Sequence, residues 1–371
     1  MLENCKLFND IKPLEWWLNK TKLSPEEDEI MTNDMVYVDS LNGDVYDLEH
    51  NLMENDGDVA AYNSLKNELF SKIPFSNMNN FDLIMKKRAT IHIKELFKKY
   101  VDDETLVILN NHQHFSVETE IKNCKNVLYY TSNCDLTSIM KYKKIFVYVI
   151  GMECDRGIRY DNTYFKYLHD ELTKSKKQFI MVLDAVQEMF LYPRDYSFYH
   201  YIIGTTHCMY HGFDQGLLFI NKNIVPEEDI KSFTGYKRCD VLERLNRGLD
   251  IILKRKDYIL TFNEILSDCI DKSFFGNCKK YCSQNNFYSI GIIGDFLYNK
   301  KYIDYINKLT NKSNMDYAGI SISIDYSGKE NEMIIRMRAQ TLMFETPRII
   351  KSYELFYNDY LKIKEIISMR N

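Results

Sequence analysis

Along the middle of the chain the apolar residues fall into short unbroken runs and do not alternate with polar ones. Thr105–Leu109, Asn126–Tyr130, Ile145–Ile150, Phe179–Leu183, Tyr199–Ile203 and Leu217–Ile220 are β-branched or aromatic throughout most of their length. Runs of that kind predict strands covered on both faces. Between some of them the period changes. Tyr164, Tyr167, Leu168 and Leu172 recur at helical spacing within Tyr164–Lys174, and Ile91, Ile93, Leu96 and Phe97 do so within Thr90–Tyr100. Strands alternating with helices predict an α/β layer fold with a mostly parallel sheet.

After Asn223 the texture changes. Ser232–Lys256 predicts a turn and a long helix. Strands follow at Ser289–Ile293, Tyr317–Ile324 and Met333–Arg338, and an amphipathic helix closes the chain around Tyr353–Ile367. The expected organisation is an N-terminal segment at 1–35, a large α/β domain at 36–250 and a smaller α+β domain at 251–371. The break falls within the long helix near Arg247–Lys256. With 6 Pro and no Ser/Gly-rich linker, the two domains are expected to dock rigidly. Trp16 and Trp17 are expected to serve as a local packing anchor or a dimer contact.

Composition narrows the function classes. The 371 residues hold 48 Lys plus Arg against 53 Asp plus Glu, a net charge of −5, which argues against a dedicated nucleic-acid binder. Aromatic residues make up 14% of the chain and exclude wholesale disorder. Apolar runs such as Ile290–Leu297 are broken well short of a membrane span. Met1–Asp10 lacks an apolar stretch, so the expectation is no secretory leader and a cytoplasmic protein. The nine cysteines are scattered, and the pair Cys278 and Cys282 lacks a matching second pair, which argues for reduced thiols and no metal site.

Two segments carry candidate chemistry. The strand Phe179–Leu183 runs into Asp184-Ala185-Val186-Gln187. Ligands of open α/β sheets bind beyond the carboxyl ends of strands, so Asp184 stands where a cationic group could be met. The plainer alternative is a turn or helix cap. Twenty residues further on comes Gly204-Thr205-Thr206-His207-Cys208-Met209-Tyr210-His211-Gly212, whose small hydroxyls, His and Gly suit an anion such as phosphate.

Together these segments resemble the fold type I pyridoxal-phosphate enzymes, in particular the class V aminotransferase and cysteine desulfurase branch. The branch has an Asp-Ala-x-Gln motif, matched by Asp184 and Gln187, followed by Ser-Gly-His-Lys-x-Tyr-Gly-x-x-Gly, matched from Thr205 to Gly216. Cys208 stands where the motif has its Schiff-base lysine. Ile108–His112 resembles the segment whose His stacks on the cofactor ring, which would be His112, with His112 and His114 as ordinary strand-end histidines in the plainer reading. Phe75-Ser76-Asn77-Met78-Asn79-Asn80 stands where a glycine-rich phosphate turn is expected, without the glycines. Phe233–Arg238 resembles a loop that reaches the partner subunit's phosphate, with Tyr236 in place of Thr. Arg338–Thr346 resembles Arg-Ala-Ser-x-x-x-Tyr-Asn-Thr, whose Arg holds a substrate carboxylate; Arg336, two residues away, could exchange roles with Arg338, and Arg338 could instead pair with Glu345. Tyr37–Ser40 resembles the branch's opening segment.

The resemblance implies a seven-stranded, mostly parallel sheet in the large domain and a homodimer. It implies a site in which Asp184 meets the pyridine nitrogen, Gln187 the phenolic oxygen, and Ser76, Asn77, Thr205, His207 and Tyr236 the phosphate. A lysine-independent enzyme on this plan would bind pyridoxal phosphate or pyridoxamine phosphate without a covalent link. It would act on an amino or keto substrate held by Arg338, with Cys208, His112 and His211 nearest the reaction. His207 or His211 could supply a base, and Lys237 a replacement amine or a phosphate clamp. No Cys follows Cys282, which argues against sulfur mobilisation. The alternatives are a scaffold or partner-binding subunit without catalysis, and a pocket turned to another anionic ligand.

Overall fold

The computed structural model describes residues 24–27, 29, 59–75, 77–110, 114–130, 136–153, 159–205, 215–251 and 253–254, and the backbone of 279–281, 289–294, 320–326 and 333–339. The terminal helix expected at Tyr353–Ile367 and the Trp16-Trp17 pair lie outside these residues.

Helix α1 (Val59–Ser71) turns Tyr62, Leu69 and Phe70 inward, and a 3-10 turn at Met78–Asn80 leads into β1 (Phe81–Lys86). Then come α2 (Ala89–Tyr100), β2 (Thr105–Leu109), α3 (Phe115–Ile121), β3 (Asn126–Tyr129), α4 (Leu136–Ile139) and β4 (Lys144–Ile150). Helix α5 (Thr163–Lys174), β5 (Gln178–Asp184), β6 (Tyr201–Thr205), β7 (Gly216–Asn221) and α6 (Glu227–Ser232) follow, and α7 covers residues 239–251. Four further strands, β8 (Lys279–Tyr281), β9 (Ser289–Gly294), β10 (Ile320–Tyr326) and β11 (Met333–Ala339), pair antiparallel in the order β10-β11-β9-β8.

The first seven strands form one sheet in the order β1-β7-β6-β5-β4-β2-β3. From β6 to β3 all neighbours are parallel, whereas β7 runs antiparallel to both β6 and β1. Strands β2, β6 and β7 are buried along their whole length, as their unbroken apolar sequences require. One face is covered by α2 through Ile93, Leu96 and Phe97, and Phe97 sets its ring edge-on to Phe146 at 4.9 Å. On α5, Phe165, Leu168 and Leu172 are buried, one stripe of a helix whose remaining positions are mostly exposed or half-buried. That helix ends in a Schellman pattern: Lys176 N–H donates to Thr173 O (3.0 Å) and Lys177 N–H to Leu172 O (3.1 Å). Lys176 adopts φ 50°, which turns the chain directly into β5.

The register fixes which ends meet. Because β1 and β6 are both antiparallel to β7, they are parallel to each other. The carboxyl ends of β1, β2, β4, β5 and β6 therefore share one edge of the sheet with the start of β7. Lys86 pairs with Gly216, Gly216 with Thr205, and Asp184 with Ile150 and Ile203.

Two departures from the sequence expectation have local causes. Strand β6 starts at Tyr201 instead of Tyr199, because the His200 imidazole Nδ1 accepts the Met181 N–H at 3.2 Å and so takes a ladder bond away from the backbone. Burial lowers the His200 pKa to about 4, which keeps the ring a neutral acceptor. Strand β1 was not anticipated. Its run Leu83-Ile84-Met85 is short, and Asp82 and Lys86 flank it within the strand itself.

Gly216 permits the closest approach at this edge. A Cβ there would come within 2.2 Å of the Arg88 carbonyl carbon and 2.4 Å of the Ala89 nitrogen, and both are backbone atoms that cannot step aside. Gly216→Ala should therefore destabilise the protein by about 1–3 kcal/mol, read as a fall in the urea midpoint at unchanged slope.

Candidate functional site

Asp184 closes β5, and its carboxylate is almost wholly withdrawn from water at 7% exposure. Its Oδ2 accepts the hydroxyl of Tyr148, a fully buried residue on the neighbouring strand β4, at 2.8 Å. Its Oδ1 accepts the Val186 N–H at 3.1 Å, the two-residue reach of an Asx turn. The main chain is fixed as well, since Gly151 N–H donates to Asp184 O (2.8 Å) and Ala185 N–H to Ile203 O (2.8 Å). Burial pushes the Asp184 pKa up to about 6, against the lowering effect of the Tyr148 and Val186 hydrogen bonds, and the Glu188 charge adds to the rise. Burial and the facing carboxylate also drive the Tyr148 phenol far above its ordinary value, so it remains a donor. Among the described residues Asp184 has no cationic partner.

The turn after Asp184 carries a second carboxylate, Glu188, with no exposed surface. This one is paired. Arg194 meets it through its Nε and through Nη2 at 3.0 Å, and Arg159 Nε donates to Oε2 at 2.8 Å. Arg194 also donates to Asn162 Oδ1 (2.6 Å), Gly151 O (3.1 Å) and Tyr160 O (2.5 Å), which ties the ends of β4 and α5 to this turn. Gly151 is required here, because a Cβ would stand 2.2 Å from Glu188 Oε1. Gln187 is buried beside this pair at 7% exposure. On the next strands Asn110 locks the end of β2 to that of β4 by a reciprocal pair of bonds with Ile150, at 3.0 and 3.3 Å.

Thr205 ends β6, buried, with its hydroxyl donating to Gln215 O at 3.0 Å. Tyr236 is buried and bridges to Met85, its N–H donating to Met85 O at 3.2 Å, so the loop 233–238 lies along the outer edge of β1 near the same sheet end. Asp184, Gln187, Thr205 and Tyr236 are thus all placed toward one edge. Asn77 is not. It precedes β1, its carbonyl accepts the Asn80 N–H, and Phe81 pairs with Asn221 at the far end of β7, so it sits at the opposite end of the sheet. The phosphate turn expected there does not face Asp184. What does open at that edge is the segment after β1, where Arg88 is the N-cap of α2 in an extended conformation and its backbone touches Gly216. A helix N-terminus at the carboxyl end of a sheet is a general setting for anions, and once β1 is recognised, Lys87-Arg88-Ala89-Thr90 is its sequence signal.

His114 is the N-cap of α3, its Nδ1 accepting the Ser116 N–H at 3.3 Å. Ser76, His112, His207, Cys208 and His211 lie outside the described residues. Arg338 lies on β11 opposite Ser321 and Ser289, and Arg336 opposite Ser323 and Gly291. Alternate residues of a strand share a face, so the two arginines occupy equivalent register positions. Sequence reasoning missed Tyr148 and the Arg159–Glu188–Arg194 network. Tyr148 sits inside an ordinary apolar run, and the arginines gain their meaning only from the turn that brings them onto Glu188.

No family model matches the chain, and no curated protein does at a significant level. Solved structures do. A NifS-like protein from Rickettsia africae superposes with a TM-score of 0.57 at 14% identity, over 92% of this chain and 98% of the other. A pyridoxal-phosphate-bound C-S lyase from Staphylococcus hominis gives 0.57 at 11% identity, over 90% and 89%. A serine palmitoyltransferase from S. paucimobilis gives 0.54 at 11% identity, over 84% and 79%. The chain has the fold of the fold type I pyridoxal-phosphate enzymes.

The electrostatics of Asp184 generate a measurable consequence. Its folded pKa of about 6 lies above that of an unfolded carboxylate, so the folded state binds the proton more tightly. The stability it contributes is present below the unfolded value and is lost as pH rises through about 6. Asp184→Asn keeps the shape without titrating, so wild-type stability relative to this variant should fall between about pH 4 and pH 7. Tyr148→Phe removes a donor to the charged form and should extend the fall to higher pH. A flat difference across that window in thermal melts would show that Asp184 is not held as described.

Proposed function

We propose that this chain binds pyridoxal phosphate or pyridoxamine phosphate without a covalent lysine at the Asp184 edge of its sheet, and acts there, as a homodimer, on an amino or keto substrate. The observation that carries this reading is Asp184 itself. A carboxylate buried at a sheet end with two neutral donors and, among the described residues, no cation is costly to keep, and a protonated ring nitrogen is the group that would satisfy it. The residues at hand fit such a group. Asp184 would hold the ring N–H, Tyr148 and the Val186 amide would fix the carboxylate's direction, and Gln187 lies in the adjoining turn. The start of α2 beside Gly216 would face the phosphate.

When bound, such a cofactor supplies an electron sink for charge developing on the substrate. The chain's own part is to keep Asp184 ionised against burial and to exclude water. With Cys208 at the lysine position of the motif, proton transfer at the substrate would fall to another base, for which His207 and His211 are the candidates in sequence. Arg338, on β11, is the candidate for a substrate carboxylate. The same replacement supports the second reading, a scaffold or partner-binding subunit that retains the fold without catalysis.

Sedimentation equilibrium with added pyridoxamine phosphate, followed at the cofactor's own absorbance, tests binding and assembly together. The cofactor should travel with a species of twice the chain mass, and Asp184→Ala should abolish the association. Binding that survives this substitution would place the ligand elsewhere, and a monomeric mass would remove the homodimer. A second experiment separates enzyme from scaffold. In Cys208→Lys, pyridoxal phosphate followed by borohydride should leave a mass increase on the peptide containing position 208. A folded variant without that adduct would favour the scaffold.

A further inference from the structure

At the opposite end of the sheet, where β1 begins and β7 ends, a cavity of about 770 Å³ opens between α1 and the 3-10 turn that precedes β1. Its size is ordinary for a small-ligand site. Lys66 and Lys222 line it, with the amides of Asn67 and Asn79 beside them and Phe75 on the apolar wall.

Its charge balance is uneven. Several lysines of the chain stand against carboxylates, among them Lys72 with Glu68 and Asp250, Lys99 with Asp229, and Lys144 with Asp102. Here Lys66 shares only Asp82, at 3.7 Å, and Lys222 and Lys237 act on it as like charges. Neither Lys222 nor Lys237 has a carboxylate partner among the described residues. Burial, together with these two ammonium groups, lowers the Lys66 pKa despite the pull of Asp82. Two cations, Lys66 and Lys222, thus line the cavity with one carboxylate, Asp82, near them, in a chain whose net charge is −5. A dianion at the mouth would relieve the repulsion and favour the charged form of Lys66. A phosphate monoester is such an anion, and Phe75, itself only half-buried at this wall, offers a surface for a flat apolar group attached to it.

We infer that this cavity is a second binding site, for a small organic phosphate, in which Lys66 and Lys222 hold the phosphate and Phe75 receives the apolar part. It is separate from the Asp184 edge, since β1 runs the length of the sheet between them, and does not depend on the cofactor reading. Adenosine 5′-monophosphate is a suitable probe. Calorimetric titration of the full chain should show binding that weakens with added salt, and adenosine, which lacks the anion, should bind at least about tenfold more weakly. Lys66→Gln and Lys222→Ala should each weaken the nucleotide by about tenfold, while Asp184→Ala leaves it unchanged. Lys222 is exposed, so its substitution tests the site even if changing Lys66 loosens α1. Absent binding, or binding by both lysine variants as tight as that of the wild type, would overturn the inference. Binding lost in Asp184→Ala and kept in the lysine variants would also overturn it, by moving the ligand to the other edge and leaving the cofactor reading intact.

Discussion

A sheet covered on both faces has nowhere to put a polar group except at its ends, and that constraint organises this molecule. Strands β2, β6 and β7 are buried from first residue to last, so an unpaired charge along them would cost several kcal/mol. The buried polar residues Asp184, Thr205 and Asn221 accordingly stand at strand ends. The antiparallel β7 decides which residues meet at each edge. By reversing once between β6 and β1 it returns β1 to the direction of the parallel set. The start of α2 is thereby placed beside Gly216 and Thr205, and the 3-10 turn with Asn77 is sent to the far side. A single antiparallel strand so accounts for two distinct groupings of polar residues.

At the Asp184 edge two carboxylates, four residues apart in sequence, are treated in opposite ways. Glu188 is neutralised by two arginines and bonded into the ends of β4 and α5. Removing either arginine would leave a buried charge short of a partner, which is why such networks are rigid. Asp184 has a phenol and one amide. The Glu188 ion pairs hold the turn in place, whereas Asp184 is positioned by that turn and, among the described residues, meets no cation.

Much of this was legible in the sequence, for identifiable reasons. The strands of the parallel set were visible because burial on both faces demands continuous apolar runs, and α2 and α5 because a single buried face leaves a helical period. Asp184 was legible because it directly follows such a run. Strand β1 was hidden by Asp82 and Lys86, whose side chains lie within the strand but find partners in Lys66 and Glu95. The segment Phe75–Asn80, expected to form a phosphate turn, precedes this strand and so lies at the end of the sheet away from Asp184. Tyr148 could not be singled out, since a tyrosine in a buried run is usually core, and only the lateral pairing of β4 with β5 shows what its hydroxyl does.

Low sequence identity to the solved structures has a physical counterpart in the same features. A fold of this kind asks of many positions only that they be apolar and of suitable volume, so at 14% identity a solved structure still superposes with a TM-score of 0.57 over 92% of the chain. Demands on the edge residues are narrower, because a buried polar group must be met by a partner at hydrogen-bond distance. Tyr148, Gly151, Glu188 and Arg194 answer such demands jointly: the glycine has no Cβ because Glu188 occupies that space, and Glu188 is tolerable there because Arg194 and Arg159 reach it. Gly151, Glu188 and Arg194 are thus coupled, whereas Tyr148 answers Asp184. Among the described residues, the end of the sheet at Asp184 is thus where burial and polar partners constrain one another through several side chains at once.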